Sequence, residues 1–185
     1  MAAGLSRRMG TNKLTLSYKG KTFIEQTFAL VKEIGFYECI MVTSPENVRH
    51  MLVPDGIKVV YNSHPEWGQS YSVRLGTAAA AGDGYLYFTC DQPLLTETLV
   101  AEMMELAAAE RIVFPLKGDG SPSNPTLFGN HFRNELLNVD GEGGGRTVRN
   151  RHPAAWITIT PDFPEQLVDI DTPEKYQHLL KGGQL

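Results

Sequence analysis

Between residues 22 and 34 the apolar side chains Phe23, Ile24, Phe28, Leu30, Val31 and Ile34 recur at helical spacing, and Gly35 follows as a stop. Residues 39–42, Cys-Ile-Met-Val, are instead an unbroken apolar run, which reads as a strand buried on both faces. The two patterns then alternate. A short helix is expected over 45–52, a strand over 57–61, an alanine-rich helix over 72–81 and a strand over 85–90. Thr96 caps a helix reaching about residue 110, with Glu97 and Glu102 near its start. A strand over 112–114, a short apolar piece over 126–128 and a helix over 131–137 come next. Strands over 156–159 and 167–170 and a helix over 172–180 complete the pattern. Residues 14–18 alternate briefly, and residues 140–146 are the least structured by composition.

Strands alternating with helices predict an α/β fold: a mostly parallel sheet with helices on both faces. On such sheets ligands bind outside the carboxyl ends of the strands. No repeat or linker divides the chain, so residues 1–185 are expected to form one domain. The 42% hydrophobic and 21% charged fractions are those of a soluble globular protein. A net charge of −4 argues against a general nucleic-acid binder, which needs a basic face. No apolar run nears the roughly 18 residues that span a bilayer, and no charged-then-apolar leader is visible. A cytoplasmic enzyme is the expectation. Cys39 and Cys90 sit in apolar runs without metal spacing and are expected as reduced, buried thiols. The five histidines show no metal spacing either.

Chemistry concentrates first in residues 1–13, MAAGLSRRMGTNK. Gly4 and Gly10 allow close backbone approach to a ligand, and bare N–H groups in such a loop form a nest for anions. Ser6, Arg8 and Lys13 add a hydroxyl and positive charge, which suits a nucleotide's phosphate chain. The loop is neither a Walker loop nor a dinucleotide fingerprint, since both glycine patterns are absent. A basic, disordered N-terminus fits the same composition. Asp91 ends an apolar run beside Gln92-Pro93, where it suits a magnesium ion held by one or two carboxylates plus substrate phosphates. It fits equally well as the cap of a turn. Asp169 and Asp171 would face one side of an extended segment. Trp67 and Trp156 suit either stacking on a ring or ordinary packing.

The first loop resembles the signature loop of the MobA-like nucleotidyltransferases, and four further segments match in order. They are Asn62 to Gly68 with Ser72, Asp91-Gln92-Pro93, Asn124-Pro125 together with Leu127-Phe128, and Asp169 to Glu174. The resemblance implies a three-layer, Rossmann-like nucleotidyltransferase fold. Signature loops of this kind follow a buried first strand, so a central strand is expected upstream of Met1. It further implies a magnesium-dependent transfer of a nucleoside monophosphate to a phosphorylated pterin-type acceptor, the product passing to a molybdenum enzyme. Nucleotide-binding residues would be Ala2, Ala3, Gly4, Ser6, Arg8, Lys13, Asn62, Gly68, Ser72 and Asp91. Lys13, Arg8 and Asp91 would be catalytic, and Asp91 and Asp171 would hold Mg2+. Gln92, Asn124, Pro125 and Arg146 would face the acceptor. Ala2-Ala3-Gly4 is similar to the cytidine branch, the molybdenum cofactor cytidylyltransferases, which points to CTP. GTP or a sugar-phosphate acceptor is the first alternative, and a non-catalytic accessory protein binding nucleotide or cofactor is another. Ser123-Asn124-Pro125 departs from the Gly-His-Pro usual in that branch, which puts the acceptor contacts in doubt. The glycines before Arg146 would either close over the second substrate or form a surface loop.

Overall fold

The computed structural model describes residues 1–4, 9–10, 12–49 and 51–182. Asn12 caps a 3-10 turn at Lys13–Thr15, its side-chain oxygen accepting from the Leu14 N–H. A small antiparallel ribbon, β1 (Ser17–Tyr18) and β2 (Lys21–Thr22), leads into α1 (Phe23–Ile34). Thr22 and Glu25 form a reciprocal cap at the start of α1, satisfying two backbone donors at once. Next come β3 (Cys39–Thr43), α2 (Pro45–Val48), β4 (Ile57–Tyr61) and α3 (Gln69–Ala79). They are followed by β5 (Gly84–Tyr87), α4 (Glu97–Glu105), β6 (Ile112–Pro115) and β7 (Thr126–Gly129). The chain closes with α5 (Arg133–Leu137), α6 (Gly145–Arg151), β8 (Trp156–Ile159) and α7 (Pro173–Leu180).

The α/β class and helices on both faces are as expected, and the sheet is mixed. β3 and β4 pair in parallel, and a second sheet runs β5-β7-β6-β8. Within it β6 and β8 are parallel, whereas β7 lies antiparallel to both β5 and β6. Both faces are buried. Ile112, Phe114 and Phe128 pack with Val73 of α3 and with Phe132, Leu136 and Val148. Val113 and Leu127 face the other way, onto Leu99 and Met103 of α4. This alternation along β6 and β7 is the strand period put to use in three layers. Between β3 and β5 lies an apolar cleft of about 610 Å³, walled by Met41 and Val42 on one side and Tyr85 and Tyr87 on the other. Met1 and Ala2 line it too: the Met1 amino group donates to the Phe88 carbonyl and the Ala2 N–H to the Val42 carbonyl. No described helix is long and apolar enough to cross a membrane.

Several boundaries differ from the sequence pattern. α2 stops at Val48 and α4 at Glu105, each earlier than the composition suggests. α3 begins at Gln69, ahead of Ser72. Residues 131–137 divide into a 3-10 turn at Asn130–Phe132 and α5. Residues 167–170 form no strand; a 3-10 turn at Pro164–Leu167 precedes an irregular stretch. The supposedly unstructured glycine segment instead starts α6, because Val148 anchors that helix in the core.

One close approach is set by a glycine. A Cβ on Gly129 would overlap the carbonyl oxygens of Ala108 and Ala109, where the chain after α4 crosses the end of β7. Both obstacles are backbone, so neither can swing aside. Gly129→Ala is expected to cost about 2–3 kcal/mol of stability, measured by urea unfolding, as overpacking does elsewhere.

Candidate active site

A polar cavity of about 440 Å³ opens where the first loop meets the segment after β5. Ala2, Ala3, Gly4, Lys13, Gly68, Ser72, Asp91 and Asp171 all line it. Ala2 is pinned at this wall, its carbonyl accepting from Thr43 Oγ1 at 3.2 Å and from Asn47 Nδ2 at 2.9 Å. Asn47 in turn accepts from Asn12 Nδ2 at 2.9 Å, which ties the cap of the Lys13 turn to the same support. Lys13 Nζ donates to Asp91 Oδ2 at 3.1 Å, with both side chains about four-fifths buried (20% and 22% exposed). Asp91 lies beyond the end of β5, past Phe88, Thr89 and Cys90, rather than on the strand itself. Its backbone is held from elsewhere, the Asp91 carbonyl accepting from the Ile170 N–H at 2.8 Å. That bond brings the segment carrying Asp171 alongside Asp91.

Asp91 Oδ1 is buried and has no hydrogen-bond partner. A buried carboxylate oxygen left without a donor is costly, and a cation that reached it would relieve that cost. Asp171 Oδ1 accepts from Lys175 Nζ at 2.9 Å, one helical turn into α7. Two carboxylates facing one cavity, with substrate phosphates as further ligands, match how magnesium is held. Among the described residues no group of three or more His, Cys, Asp or Glu side chains is placed to hold a metal ion by itself.

Asn62 is fully buried and does not line the cavity. Its Nδ2 donates to Ser72 Oγ at 2.9 Å and its Oδ1 accepts from the His64 N–H, so it positions Ser72. Gly68 has a φ of 82°, and a Cβ there would meet Glu142 Oε2 at 2.9 Å and the Gly141 carbonyl at 3.2 Å. Gly68→Ala is expected to lose about 1–2 kcal/mol in chemical denaturation, from backbone strain and crowding together. Ser6 and Arg8 lie outside the described residues.

A smaller cavity of about 290 Å³ adjoins the first, and Met1 and Gln69 line both. Asn124 and Arg146 line it, as do Lys117, Ser123, Arg149 and Asp169. Asp169 and Asp171 thus serve different cavities: Asp169 Oδ2 accepts from Lys117 Nζ at 2.9 Å. The expected shared face fails because the segment is irregular rather than extended. Gln92 and Pro125 line neither polar cavity. The Gln92 amide nitrogen donates to Ser123 Oγ at 3.2 Å and to the Leu167 carbonyl at 3.1 Å, a bracing role behind the site. The glycine segment is docked, not loose: Gly144 is buried and its N–H donates to Ser70 Oγ at 3.0 Å. Trp67 is exposed, stacked on His64 at 4.0 Å, while Trp156 is half-buried and packs edge-on to Phe114. Burial pushes the Cys90 thiol above its usual pKa, and the same effect, with Glu38, raises Cys39.

Residues 1–155 match the model of the MobA-like NTP transferase domain. The chain belongs to that family. As a MobA-like protein it is a nucleotidyltransferase with an α/β, Rossmann-like fold. It is 28% identical to the purine catabolism protein PucB of Bacillus subtilis (strain 168), over 95% of this chain and 91% of that one. It is also 28% identical to a molybdenum cofactor guanylyltransferase of Shewanella sp. (strain ANA-3), over 97% and 92%. The crystal structure of Rv0371c from Mycobacterium tuberculosis H37Rv superposes with a TM-score of 0.81 at 26% identity, covering 97% of this chain and 94% of that one. Within this MobA-like site, Gln69, Thr89, Glu142, Lys117 and Arg149 line the cavities without having been singled out from sequence. Only Arg149 left a readable sign, since it sits three residues after Arg146 and so shares its helix face.

Proposed function

We propose that this protein transfers CMP from CTP to the terminal phosphate of a molybdopterin-type acceptor, releasing pyrophosphate. The observation that carries the reading is the ion pair of Lys13 with Asp91 beside an unpartnered Asp91 oxygen in a cavity walled by the first loop. The larger polar cavity takes the nucleoside triphosphate, with Ala2, Ala3 and Gly4 presenting backbone and Lys13 balancing phosphate charge. An acceptor phosphate is already anionic near neutral pH, so no general base is required. One of its oxygens attacks the α-phosphorus, the new P–O bond forms in line, and the bond to the β-phosphate oxygen breaks. The protein's work is alignment and neutralisation. Magnesium held by Asp91 and Asp171 would supply charge stabilisation on the phosphates.

The base is read from Ala2-Ala3-Gly4. A second reading, GTP, is favoured by the relatives named molybdenum cofactor guanylyltransferases. Incubating the protein with Mg2+, molybdenum cofactor and each of the four nucleoside triphosphates, and following pyrophosphate, separates the two. Release with CTP alone is the expected result, and release with GTP alone supports the second reading. Tight nucleotide binding without release from any pair would point to an accessory protein.

A further inference from the structure

Arg149 is an oddity in this fold. It belongs to α6, is 6% exposed, and lines the smaller cavity. Its Nε donates to Asn150 Oδ1 at 3.3 Å, and its guanidinium carbon lies 4.8 Å from the centre of the Phe114 ring. Among the described residues no carboxylate lies within ion-pair distance of it, although ion pairs form around the cavity at Lys117–Asp169 and nearby at Arg151–Glu135. A cation–π contact offsets only part of the cost of burying a guanidinium, and an unpaired buried charge is what natural folds avoid. Burial, and then the like charge of Arg146, hold the Arg149 pKa below its usual range. The chain as a whole carries a net charge of −4. Yet here Lys117, Arg146 and Arg149 face a single carboxylate, Asp169. The excess of two positive charges matches a phosphate monoester, which carries close to two negative charges near neutral pH.

We infer that Arg149 anchors the acceptor's phosphate monoester in the smaller cavity, with Arg146 as the outer contact and the Lys117–Asp169 pair as the far wall. This deepens, and rests on, the nucleotidyl-transfer reading, since it names the group through which the second substrate is held. A guanidinium suits the task, because its planar fork meets two phosphate oxygens at once. The cavity adjoins the nucleotide cavity at Met1 and Gln69, so an anion held there sits beside the triphosphate. Ser123 and Asn124 add a hydroxyl and an amide at the same wall, in place of any titrating group.

The test titrates inorganic phosphate into protein already saturated with the α,β-methylene analogue of CTP or GTP, which occupies the triphosphate cavity without turning over. Calorimetry compares the parent with Arg149→Met, Arg149→Lys and Arg146→Gln. Met keeps much of the length and the contact with Phe114 while removing the charge. Arg149→Met is expected to weaken phosphate binding at least tenfold, Arg146→Gln about threefold, and Arg149→Lys less than Arg149→Met. Affinity for the nucleotide analogue should change less than twofold in all three. Near-UV circular dichroism reports whether each variant is folded. A folded Arg149→Met protein that binds phosphate as the parent does would overturn the assignment. If that variant does not fold, parental phosphate affinity in both Arg149→Lys and Arg146→Gln overturns it instead. Absence of pyrophosphate release with every nucleotide would count against nucleotidyl transfer alone, leaving the phosphate titration to be read by itself.

Discussion

Lys13→Ala is expected to lower turnover by about a thousandfold, the scale seen when one preorganised charge or donor is removed from a developing anion. The side chain is aimed by a chain of contacts: Asn12 caps its turn, Asn47 holds Asn12, and Ala2 is held by Asn47. The ammonium ends on Asp91 Oδ2 inside the larger polar cavity. Stability should move far less. A partly exposed ion pair contributes up to about 1 kcal/mol, which for a domain of this size is a shift of about 2–4 °C in the unfolding midpoint. Pyrophosphate release gives turnover, and a thermal melt gives stability. Activity equal to the parent's, in a folded variant, would remove Lys13 from the mechanism.

Asp91→Asn separates binding of a metal from folding in one substitution. In the parent protein Mg2+ with nucleotide is expected to raise the unfolding midpoint, because a ligand that binds only the folded state stabilises it by mass action. At about one hundred times the dissociation constant that is about 2.7 kcal/mol, or roughly 5–10 °C here. The asparagine variant should lose most of the Mg2+-dependent part of this shift, and its turnover should fall by about a thousandfold or more. Its melting point without Mg2+ should stay within a few degrees of the parent's. The parent already buries Asp91 Oδ1 without a partner, so removing the charge relieves a cost while losing the Lys13 pair. A full Mg2+ shift in Asp91→Asn would exclude this carboxylate as a ligand.

Much of the larger polar cavity's lining is legible in the sequence. Lys13, Asp91 and Asp171 do face one cavity, and Gly68 and Ser72 join them there. The sequence points to Asn62 as a nucleotide contact, whereas in the fold it is 0% exposed and its amide reaches Ser72 rather than the cavity. Gln92 differs in the same way. Polar residues in a loop look alike in sequence, and only packing decides which one faces inward. The α6 helix was hidden by three glycines, since local propensity cannot register Val148 entering the core. Asp169 and Asp171 parted company because residues 168–171 follow a 3-10 turn instead of a strand, so the two-residue period does not apply.

The α/β class and most of the alternation of helices and strands, from α1 through β7, were determined by the sequence alone. Hydrophobic period and glycine placement act over a few residues and survive without knowledge of the rest. The insertion of β7 antiparallel between β5 and β6, the meeting of Lys13 with an aspartate 78 positions away, and the division of the site into two cavities were decided by tertiary structure. Those features depend on which strand edges pair and which backbone groups bridge distant segments. The Ile170 N–H on the Asp91 carbonyl is such a bridge, and every residue type except proline offers the same donor to make it.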